Sequence, residues 1–425
     1  MSNKNISVRH AGLTTSANLA HAIAQWLLLI IVIKQFDDLI LGQLVLNLSI
    51  ISPIFMLFSF KLRSLIVTDY HNTYSFEQYL HARFLSQLFI LSFLAALLPI
   101  LLPQTMLSIT LSVIAFKAFD GISELCYSYQ HKQQFFSRAA VSQVLRSITT
   151  VIVLTTTAYI SQDVSFTFYA WALSTGCFAL IDIYLVANTL SNVEKRSFKL
   201  RGTLISIEAV KISLILYRKY WPVGISIAFG AMFVYIPNYM LEYFHGTKVV
   251  GHFATISYFL VAGGIFITSL SQAITPKLSN FYNQGNFSQF IKTTKWLMLI
   301  GASIGFIGLV LATLFGEWIL TTIYTEVIGQ LSQELQLIII ASLIRYSYIF
   351  LGAALNALRC FNQQVIVYGS GTVTLTIACL VWVPKYGTLG AANAMIIACV
   401  VEFIVMVIIF MKQWRQVSKD KLSII

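Results

Sequence analysis

Long apolar runs constrain the fold of this chain more than any other feature of its sequence. Twelve such runs, each of about 20 residues, follow one another and are separated by polar segments. A helix of about 20 residues spans the roughly 30 Å hydrocarbon core of a bilayer, whereas a barrel strand needs only about 10 residues. The runs therefore predict an all-α integral membrane protein with twelve transmembrane helices. The predicted spans are 12–33, 41–60, 84–102, 105–126, 139–160, 165–189, 221–242, 249–274, 294–315, 334–356, 363–383 and 388–411.

The composition excludes several classes of protein. Hydrophobic residues make up 57% of the 425 positions and charged residues only 10%. Soluble chains carry about 25% charged residues, so a soluble protein is not expected. In a membrane protein, a net charge of +12 reflects Lys and Arg in the cytoplasmic loops. The charge therefore predicts contacts with membrane lipids and no nucleic-acid partner.

The loops between the spans predict an orientation. With the N-terminus inside, the outer loops hold only three cations, Lys34, Lys248 and Lys385. Most other Lys and Arg residues then fall in or near the inner loops or the termini, as the positive-inside rule requires. We therefore expect both termini to be cytoplasmic. The outer loops are too short for a separate domain, so we expect the function to reside among the helices.

The most basic segment between two runs is 191–220, which carries seven Lys or Arg residues against two Glu residues. We predict that it is a cytoplasmic linker between an N-terminal six-helix lobe, 1–190, and a C-terminal six-helix lobe with a short basic tail, 221–425. The stretches 203–217 and 64–83 are predicted to be interfacial helices. Two halves that both start inside are typical of parallel repeats around a central cavity.

Two cations are predicted to lie at mid-membrane depth. Lys117 falls in the predicted fourth span, where Asp120 and Glu124 share its helix face, and Arg345 falls in the tenth. Counted along the helices, Lys117 and Arg345 both lie roughly 20 Å from the inner surface. An ionisable residue there costs roughly 2.5–3.5 kcal/mol and usually faces a cavity. These four residues are therefore candidates for a substrate-binding cavity, with the alternative that Lys117 only pairs with the two acids.

Each of four further polar residues within the spans is compatible with either of two roles. Asp182 and Glu402 occupy corresponding helices of the two halves and are candidates for ion coupling, since acids in membranes relay protons. The alternative is a role in helix packing or at the interface. Asn18 and His21 share one face of the first helix and would either line the cavity or form interhelical hydrogen bonds.

Three arginines, Arg63, Arg83 and Arg146, lie near predicted inner helix ends. One interpretation is that they form an entrance for an anionic headgroup. The other is that their long side chains snorkel towards water and orient the helices.

Missing motifs narrow the chemistry. The chain has no Walker motif or other glycine-rich phosphate loop, so an ATP-driven pump is not expected. It has no HExxH motif, CxxC pair or Cys/His cluster, so no metal site is expected. No arrangement of Ser, His and Asp in the sequence indicates a catalytic triad. We expect a protein that is not an enzyme and needs no cofactor.

Several short motifs occur together between positions 221 and 291. They are Ile236-Pro237-Asn238-Tyr239, Val250-Gly251-His252-Phe253, Ser271-Gln272, Pro276-Lys277-Leu278 and Gln284-Gly285-Asn286. In this combination they resemble the seventh and eighth helices of Wzx-type polysaccharide flippases. These flippases belong to the multidrug/oligosaccharidyl-lipid/polysaccharide (MOP) exporter superfamily. The stretches 41–69 and 117–147 resemble the second helix and the fourth and fifth helices of the same proteins.

The resemblance implies a flippase of the bacterial inner membrane. Its substrate would be an undecaprenyl-diphosphate-linked oligosaccharide, an O-antigen or other surface polysaccharide repeat unit, moved to the periplasmic leaflet by alternating access. A proton or sodium gradient would be the coupling source, and polysaccharide polymerase and chain-length regulator proteins are implied partners. Two alternatives stay open: a multidrug or small-molecule antiporter of the same superfamily, and a glycan polymerase or ligase. The short outer loops argue against the enzyme.

One departure from the resemblance concerns the seventh helix. Related sequences often carry a basic residue where this chain has Asn238. Without a basic residue at position 238, Lys117 and Arg345 would have to neutralise an anionic substrate, or the substrate would be a different glycan. The sugar contacts are expected from nearby tyrosine and asparagine side chains, namely Tyr235, Asn238, Tyr239 and Tyr348.

Overall fold

The computed structural model describes residues 2–60, 62–68, 73–101, 106–189, 207–358 and 360–422. These residues form helices and short connections, without a strand, which confirms the predicted all-α class. The first helices are α1 (Ser2–Gln35), α2 (Asp38–Leu57), α3 (Leu62–Thr68), α4 (Phe76–Leu101), α5 (Leu107–Lys132), α6 (Phe136–Ser161) and α7 (Val164–Thr189). The others are α8 (Ile207–His245), α9 (Thr247–Asn283), α10 (Phe287–Ile323), α11 (Glu326–Gly329), α12 (Ser332–Ala357) and α13 (Phe361–Leu422).

Nine helices in the described part of the chain are long and apolar enough to cross a membrane. A helix satisfies its own backbone hydrogen bonds in lipid, which makes it the natural form for these apolar runs. α5 is not among the nine, and it carries Lys117, Asp120 and Glu124. The structure therefore has a multi-pass all-α membrane fold. The arrangement of twelve spans with cytoplasmic termini stays a prediction.

α13 consists of two helices joined at one residue. Its 62 residues would measure roughly 93 Å as one straight helix, about three times the hydrocarbon core. At Gly387 the backbone has φ 54° and ψ −126°, a conformation that glycine adopts readily and other residues avoid. The predicted spans 363–383 and 388–411 lie on either side of this break.

Two helices extend further than the sequence patterns predict. The predicted interfacial stretch 203–217 lies within the described chain from 207 onwards, where it forms the beginning of α8 and continues into the predicted seventh span. Arg218 lies between the two parts without ending the helix, because arginine is a good helix former.

α4 begins eight residues before the predicted span 84–102. Its start is set by a reciprocal pair of hydrogen bonds. The backbone N–H of Gln78 donates to Ser75 Oγ at 3.3 Å, and the backbone N–H of Ser75 donates to Gln78 Oε1 at 3.0 Å. This capping box satisfies two N–H groups that an uncapped helix leaves free. The predicted interfacial segment 64–83 is thus divided between α3 and α4, and its residues 69–72 lie outside the described chain.

The chain forms two compact units, Met1–Ala231 and Met232–Ile425, called the N-terminal unit and the C-terminal unit below. The boundary lies within α8. The predicted linker 191–220 lies outside the described residues as far as position 206. The lobe limits 1–190 and 221–425 stay predictions.

In the N-terminal unit, α5 is the central helix. It packs against α2, α3, α4, α6 and α7, while α1 packs against α6. Phe76, Tyr79, Cys126 and Tyr129 form a buried cluster between α4 and α5. This central position places the ionisable residues of α5 among neighbouring helices.

In the C-terminal unit, α12 has the central position. It packs against α9, α10 and α13. The buried side chains of Tyr348, Leu351, Leu355 and Met406 form the core between α12 and α13. The two predicted mid-membrane cations, Lys117 and Arg345, therefore lie on the central helices of their respective units.

Candidate functional site

Ionisable side chains gather at one place in each unit. The α5 cluster comprises residues of α5 and the arginines that reach it, namely Lys117, Asp120, Glu124, Arg63, Arg83 and Arg146. The α12 cluster comprises Arg345 and Tyr348 of α12 and Glu402 of α13. Each cluster is described within its own unit.

In the α5 cluster, each carboxylate pairs with arginines from other helices. Arg146 of α6 places Nη2 2.8 Å from Asp120 Oδ1. Glu124 lies between two arginines, with Arg63 Nη1 of α3 at 3.4 Å and Arg83 Nη2 of α4 at 3.9 Å. The arginines therefore connect three neighbouring helices to the central helix.

Lys117 has no ion pair within 4 Å among the described residues. Its Nζ lies 5.5 Å from the ring centroid of Phe116. The alternative reading, in which Lys117 pairs with Asp120 and Glu124, is not the arrangement found, because arginines occupy both acids. Lys117 is thus a partly buried cation that acts on Asp120 at longer range than an ion pair.

Arg83 and Arg146 are almost fully buried, with 3% and 4% of their surface exposed. The Arg146 guanidinium also lies 5.6 Å from the ring centroid of Tyr127. Snorkelling requires the charged head to reach water, and neither side chain does so. The side chain of Arg63 is 40% exposed. Of the three arginines predicted to form a headgroup entrance, Arg63 is therefore the one that a headgroup could reach from the protein surface. The predicted headgroup entrance stays a prediction.

The polar face of α1 lies beside the α5 cluster. Gln143 of α6 donates a hydrogen bond from Nε2 to Asn18 Oδ1 at 3.3 Å. This is the interhelical bond that the sequence left open as one role of Asn18. His21 lies within electrostatic range of Asp120, Arg146 and Lys117. Its predicted role in lining a cavity stays a prediction.

Asp182 is fully buried on α7 and has a hydroxyl partner. Ser142 of α6 donates a hydrogen bond to its Oδ1 at 2.5 Å. The sequence treated Asp182 and Glu402 as equivalent candidates for ion coupling. The structure gives them different surroundings, because Glu402 has a cation within 4 Å and Asp182 is bonded to a hydroxyl group.

The α12 cluster joins three side chains. Arg345 Nη1 lies 3.6 Å from Glu402 Oε2, and Tyr348 donates a hydrogen bond to the same oxygen. The guanidinium lies 4.1 Å from the ring centroid of Phe233 of α8. The side chain of Arg345 is 16% exposed and that of Glu402 only 2%, so the arginine is the accessible member of the pair.

Two residues that contact this cluster were not identified from the sequence. Phe233 lies in an apolar run, where nothing in the sequence distinguishes it from its neighbours. Its role in the structure is to present an aromatic face, which attracts the guanidinium group. Gly371 of α13 lies so close to Glu402 that a Cβ at this position would overlap the carboxylate. The glycine therefore provides the space that the Glu402 side chain occupies.

The predicted sugar-contacting residues lie on two helices of the C-terminal unit. Tyr235, Asn238 and Tyr239 belong to α8, the helix that supplies Phe233, and Tyr348 belongs to α12. Asn238 is only 3% exposed, whereas Tyr235 and Tyr239 are partly exposed. Their contacts with a substrate stay predictions. Within the described residues, no group of three or more His, Cys, Asp or Glu side chains could hold a metal ion.

Comparison with known sequences gives one informative relative. The chain is 27% identical over 391 residues to the capsular polysaccharide biosynthesis protein CapF of Staphylococcus aureus. The match covers 91% of this chain and 95% of that protein. No family model matches the sequence.

Comparison with solved structures identifies the fold. A mutant form of the Vibrio cholerae MATE transporter VcmN matches with a TM-score of 0.67 and 12% identity, over 97% of this chain and 98% of that one. A MOP-superfamily transporter from Pyrococcus furiosus matches with a TM-score of 0.64 and 14% identity, over 98% and 96%. The chain therefore has the fold of a multi-pass MOP-superfamily transporter. The expected superfamily fold is confirmed.

Proposed function

We propose that this protein is a flippase for an undecaprenyl-diphosphate-linked oligosaccharide. It moves the repeat unit of a surface polysaccharide, an O-antigen or a capsule-like glycan, from the cytoplasmic to the outer leaflet of the bacterial inner membrane. The transporter fold and the capsular polysaccharide relative support this class of substrate. Alternating access between two lobes would carry the headgroup while the lipid tail stays in the bilayer.

The observation that carries the proposal is Lys117, a cation on a central helix without a carboxylate partner among the described residues. Even with Asp182 counted, four cations of the N-terminal unit face three carboxylates around α5. An excess of positive charge in this cluster favours an anionic ligand. A lipid diphosphate matches it, because phosphate oxygens accept charge-assisted hydrogen bonds from Lys and Arg.

The physical need for such a site follows from the substrate. Each polar group of a sugar or diphosphate costs roughly 2–7 kcal/mol when it enters hydrocarbon without a hydrogen bond. In the proposal, Lys117 and Arg345 neutralise the diphosphate or acidic sugars. Tyr235, Asn238 and Tyr239 contact the sugar rings and hydroxyl groups, while Tyr348 stays bonded to Glu402. A polymerase and a chain-length regulator would receive the product at the outer leaflet.

The test is a flipping assay with purified protein in liposomes. The probe is a polyprenyl-diphosphate oligosaccharide with a fluorescent sugar, and the fraction accessible to an external quencher reports translocation. We expect transfer with the wild type and at least about a tenfold slower rate with Lys117→Ala, because one charge-assisted contact contributes about 1.5–3 kcal/mol. Lys295→Ala, an exposed cation on α10, is the matched control and should leave the rate unchanged.

Absence of transfer by the wild type, or an unchanged rate in Lys117→Ala, would contradict the proposed site. A deletion strain gives the cellular counterpart. It should accumulate lipid-linked repeat units on the inner leaflet and lose surface glycan. Such accumulation would also separate the flippase from a glycan polymerase or ligase, since a strain lacking a polymerase still exports single units.

The second candidate function is a cation-coupled antiporter for drugs or other small molecules. The likeness to MATE transporters favours it. The positive excess around α5 disfavours it for cationic drugs, because like charges repel in a low-dielectric site. Uptake of a fluorescent organic cation into the same liposomes, without flipping of the lipid-linked glycan, would select the antiporter.

A further inference from the structure

The α12 cluster has an accessible cation in front of a nearly inaccessible carboxylate. Arg345 retains 16% side-chain exposure, whereas Glu402 retains 2%. Their closest atoms are 3.6 Å apart, beyond hydrogen-bond distance, and Arg345 Nη1 has no hydrogen-bond acceptor among the described residues. Nη1 is itself buried beside Glu402, so the unliganded site leaves one N–H donor of Arg345 without an acceptor in the described part of the chain.

Glu402 is held in place by more than Arg345. Tyr348 donates a hydrogen bond to Oε2, and Gly371 leaves the space in which the carboxylate lies. These two contacts remain when the pair with Arg345 is broken. The carboxyl group would then be buried without a cation, and a buried carboxyl group without a cation favours its protonated, neutral form.

We propose that the α12 cluster is an anion–proton exchange site. An anionic group of the substrate displaces Glu402 from Arg345, and Glu402 takes up one proton. The identity of the anion rests on the proposed flippase function. The anion is then a phosphate oxyanion of the lipid diphosphate or a carboxylate of an acidic sugar. Both present oxygen acceptors to the Arg345 guanidinium.

The charges balance in this exchange. The unliganded pair is neutral, with one positive guanidinium and one negative carboxylate. After exchange, the guanidinium pairs with one negative charge of the substrate and Glu402 is a neutral acid, so the site is neutral again. The proton comes from the buffered aqueous phase with which the substrate enters, and it returns there when the anion departs and the ion pair forms again. No bond other than O–H changes.

The neighbouring ionisable groups leave this balance intact. Tyr346, Tyr348, Cys399 and Tyr368 act electrostatically on Arg345 together with Glu402. The tyrosines and the cysteine are neutral at neutral pH. Among the strongest electrostatic influences on Arg345 from the described residues, Glu402 is the charged one. Glu402 is thus the group whose proton occupancy can follow the anion.

Calorimetry can count the proton directly. The wild type in detergent is titrated with geranylgeranyl diphosphate, and separately with glucuronate, in buffers of different ionisation enthalpy at about pH 7, above the second phosphate pKa of about 6. We expect uptake of about one proton more in the wild type than in Glu402→Gln, because the difference removes any proton exchanged by the probe itself. Uptake with the diphosphate assigns the anion to the lipid, and uptake with glucuronate alone assigns it to an acidic sugar.

Affinity gives a second readout. Glu402→Gln removes the competitor for Arg345 and should bind the anion at least about tenfold more tightly. Arg345→Gln should lose binding by a similar or larger factor. Tyr348→Phe retains the carboxyl group and should retain proton uptake, which keeps the test valid if Glu402→Gln folds poorly. Glu334→Gln is the matched control, because Glu334 is a buried glutamate of α12 that accepts a hydrogen bond from Thr388 at 2.8 Å.

Three results would overturn the exchange: binding without a difference in proton uptake, no gain in affinity in Glu402→Gln, or no binding of either anion. Each is separable from the proposed function. Flipping without proton uptake would refute the exchange alone. Proton uptake without flipping would refute the flippase and leave an anion–proton site in a different transporter.

Discussion

Arginines from α3, α4 and α6 hold the two acids of α5 in place, and this pairing could not be read from the sequence. Arg146 lies 26 positions from Asp120 and Arg83 lies 41 positions from Glu124. Helical spacing identified Lys117, Asp120 and Glu124 as one face, because that relation is local. The choice of partners depends on how separate helices pack, for which a single sequence carries no direct signal.

Arg345 and Glu402 show the same limit. Each was predicted as a site residue because ionisable groups are costly in a membrane. Their pairing across 57 positions emerged only from the packing of α12 on α13. A weak signal did exist in Gly371, since a glycine inside an apolar helix often marks a close approach.

The role of Gly371 leads to a prediction for a single residue. Gly371→Ala should destabilise the protein by about 1–3 kcal/mol, because its Cβ would overlap the Glu402 carboxylate in a packed core. Thermal unfolding of the purified protein in detergent measures the change. Gly369→Ala, two positions away with no atom within 4 Å of its Cβ, should leave the midpoint unchanged or slightly raised. Equal midpoints for the two variants would show that the Glu402 carboxylate is not held against Gly371.

At the scale of elements, helix starts and breaks were predicted less well than helix existence. Apolar runs identified the helices, since the runs themselves are the membrane-crossing surface. The start of α4 at Phe76 was missed although Ser75 and Gln78 have the spacing of a capping box. The break in α13 was placed correctly between 383 and 388, where Pro384 and Gly387 interrupt the apolar pattern.

The capping box gives a prediction for one element. Ser75→Ala should lower the free energy of unfolding by about 1 kcal/mol, because the N–H of Gln78 loses its acceptor. Gln78→Ala removes the reciprocal bond. A double-mutant cycle should therefore give a coupling energy above about 0.5 kcal/mol. Ser92→Ala is the control, since the Ser92 hydroxyl is exposed and bonds only to Leu88 of its own helix. Unchanged stability in both Ser75→Ala and Gln78→Ala would contradict the reciprocal bonding.

At the scale of the whole molecule, the composition and the apolar runs were sufficient to predict a multi-pass helical membrane protein, and the resemblance to Wzx-type flippases supplied the superfamily. The MOP-superfamily fold confirms that level of the prediction. The division into lobes was predicted at the basic linker 191–220, and the compact units meet further along, within α8. The basic residues of 191–220 indicate a segment in contact with water. The boundary between compact units instead depends on contacts between helices, which the composition does not determine.

The continuity of α8 predicts where the chain tolerates a cut. Coexpressed fragments 1–198 and 199–425 should restore glycan export, because the cut leaves every described helix intact. Fragments cut between 231 and 232 should fail, since this interrupts α8 within its 39 residues. Surface glycan and membrane levels of both fragments are measured together. Equal export from the two pairs, with equal fragment levels, would show that an unbroken α8 is unnecessary.

The single-residue break at Gly387 has a consequence for biogenesis. The helices that precede and follow it are joined by almost no polar chain, and Lys385 is the one charge beside the turn. A translocon that releases these helices one at a time would leave a nascent end with no hydrophilic tether to hold it. In the predicted twelve-span arrangement, we therefore expect the two halves of α13 to be released laterally together, as one helical hairpin in a single step of synthesis.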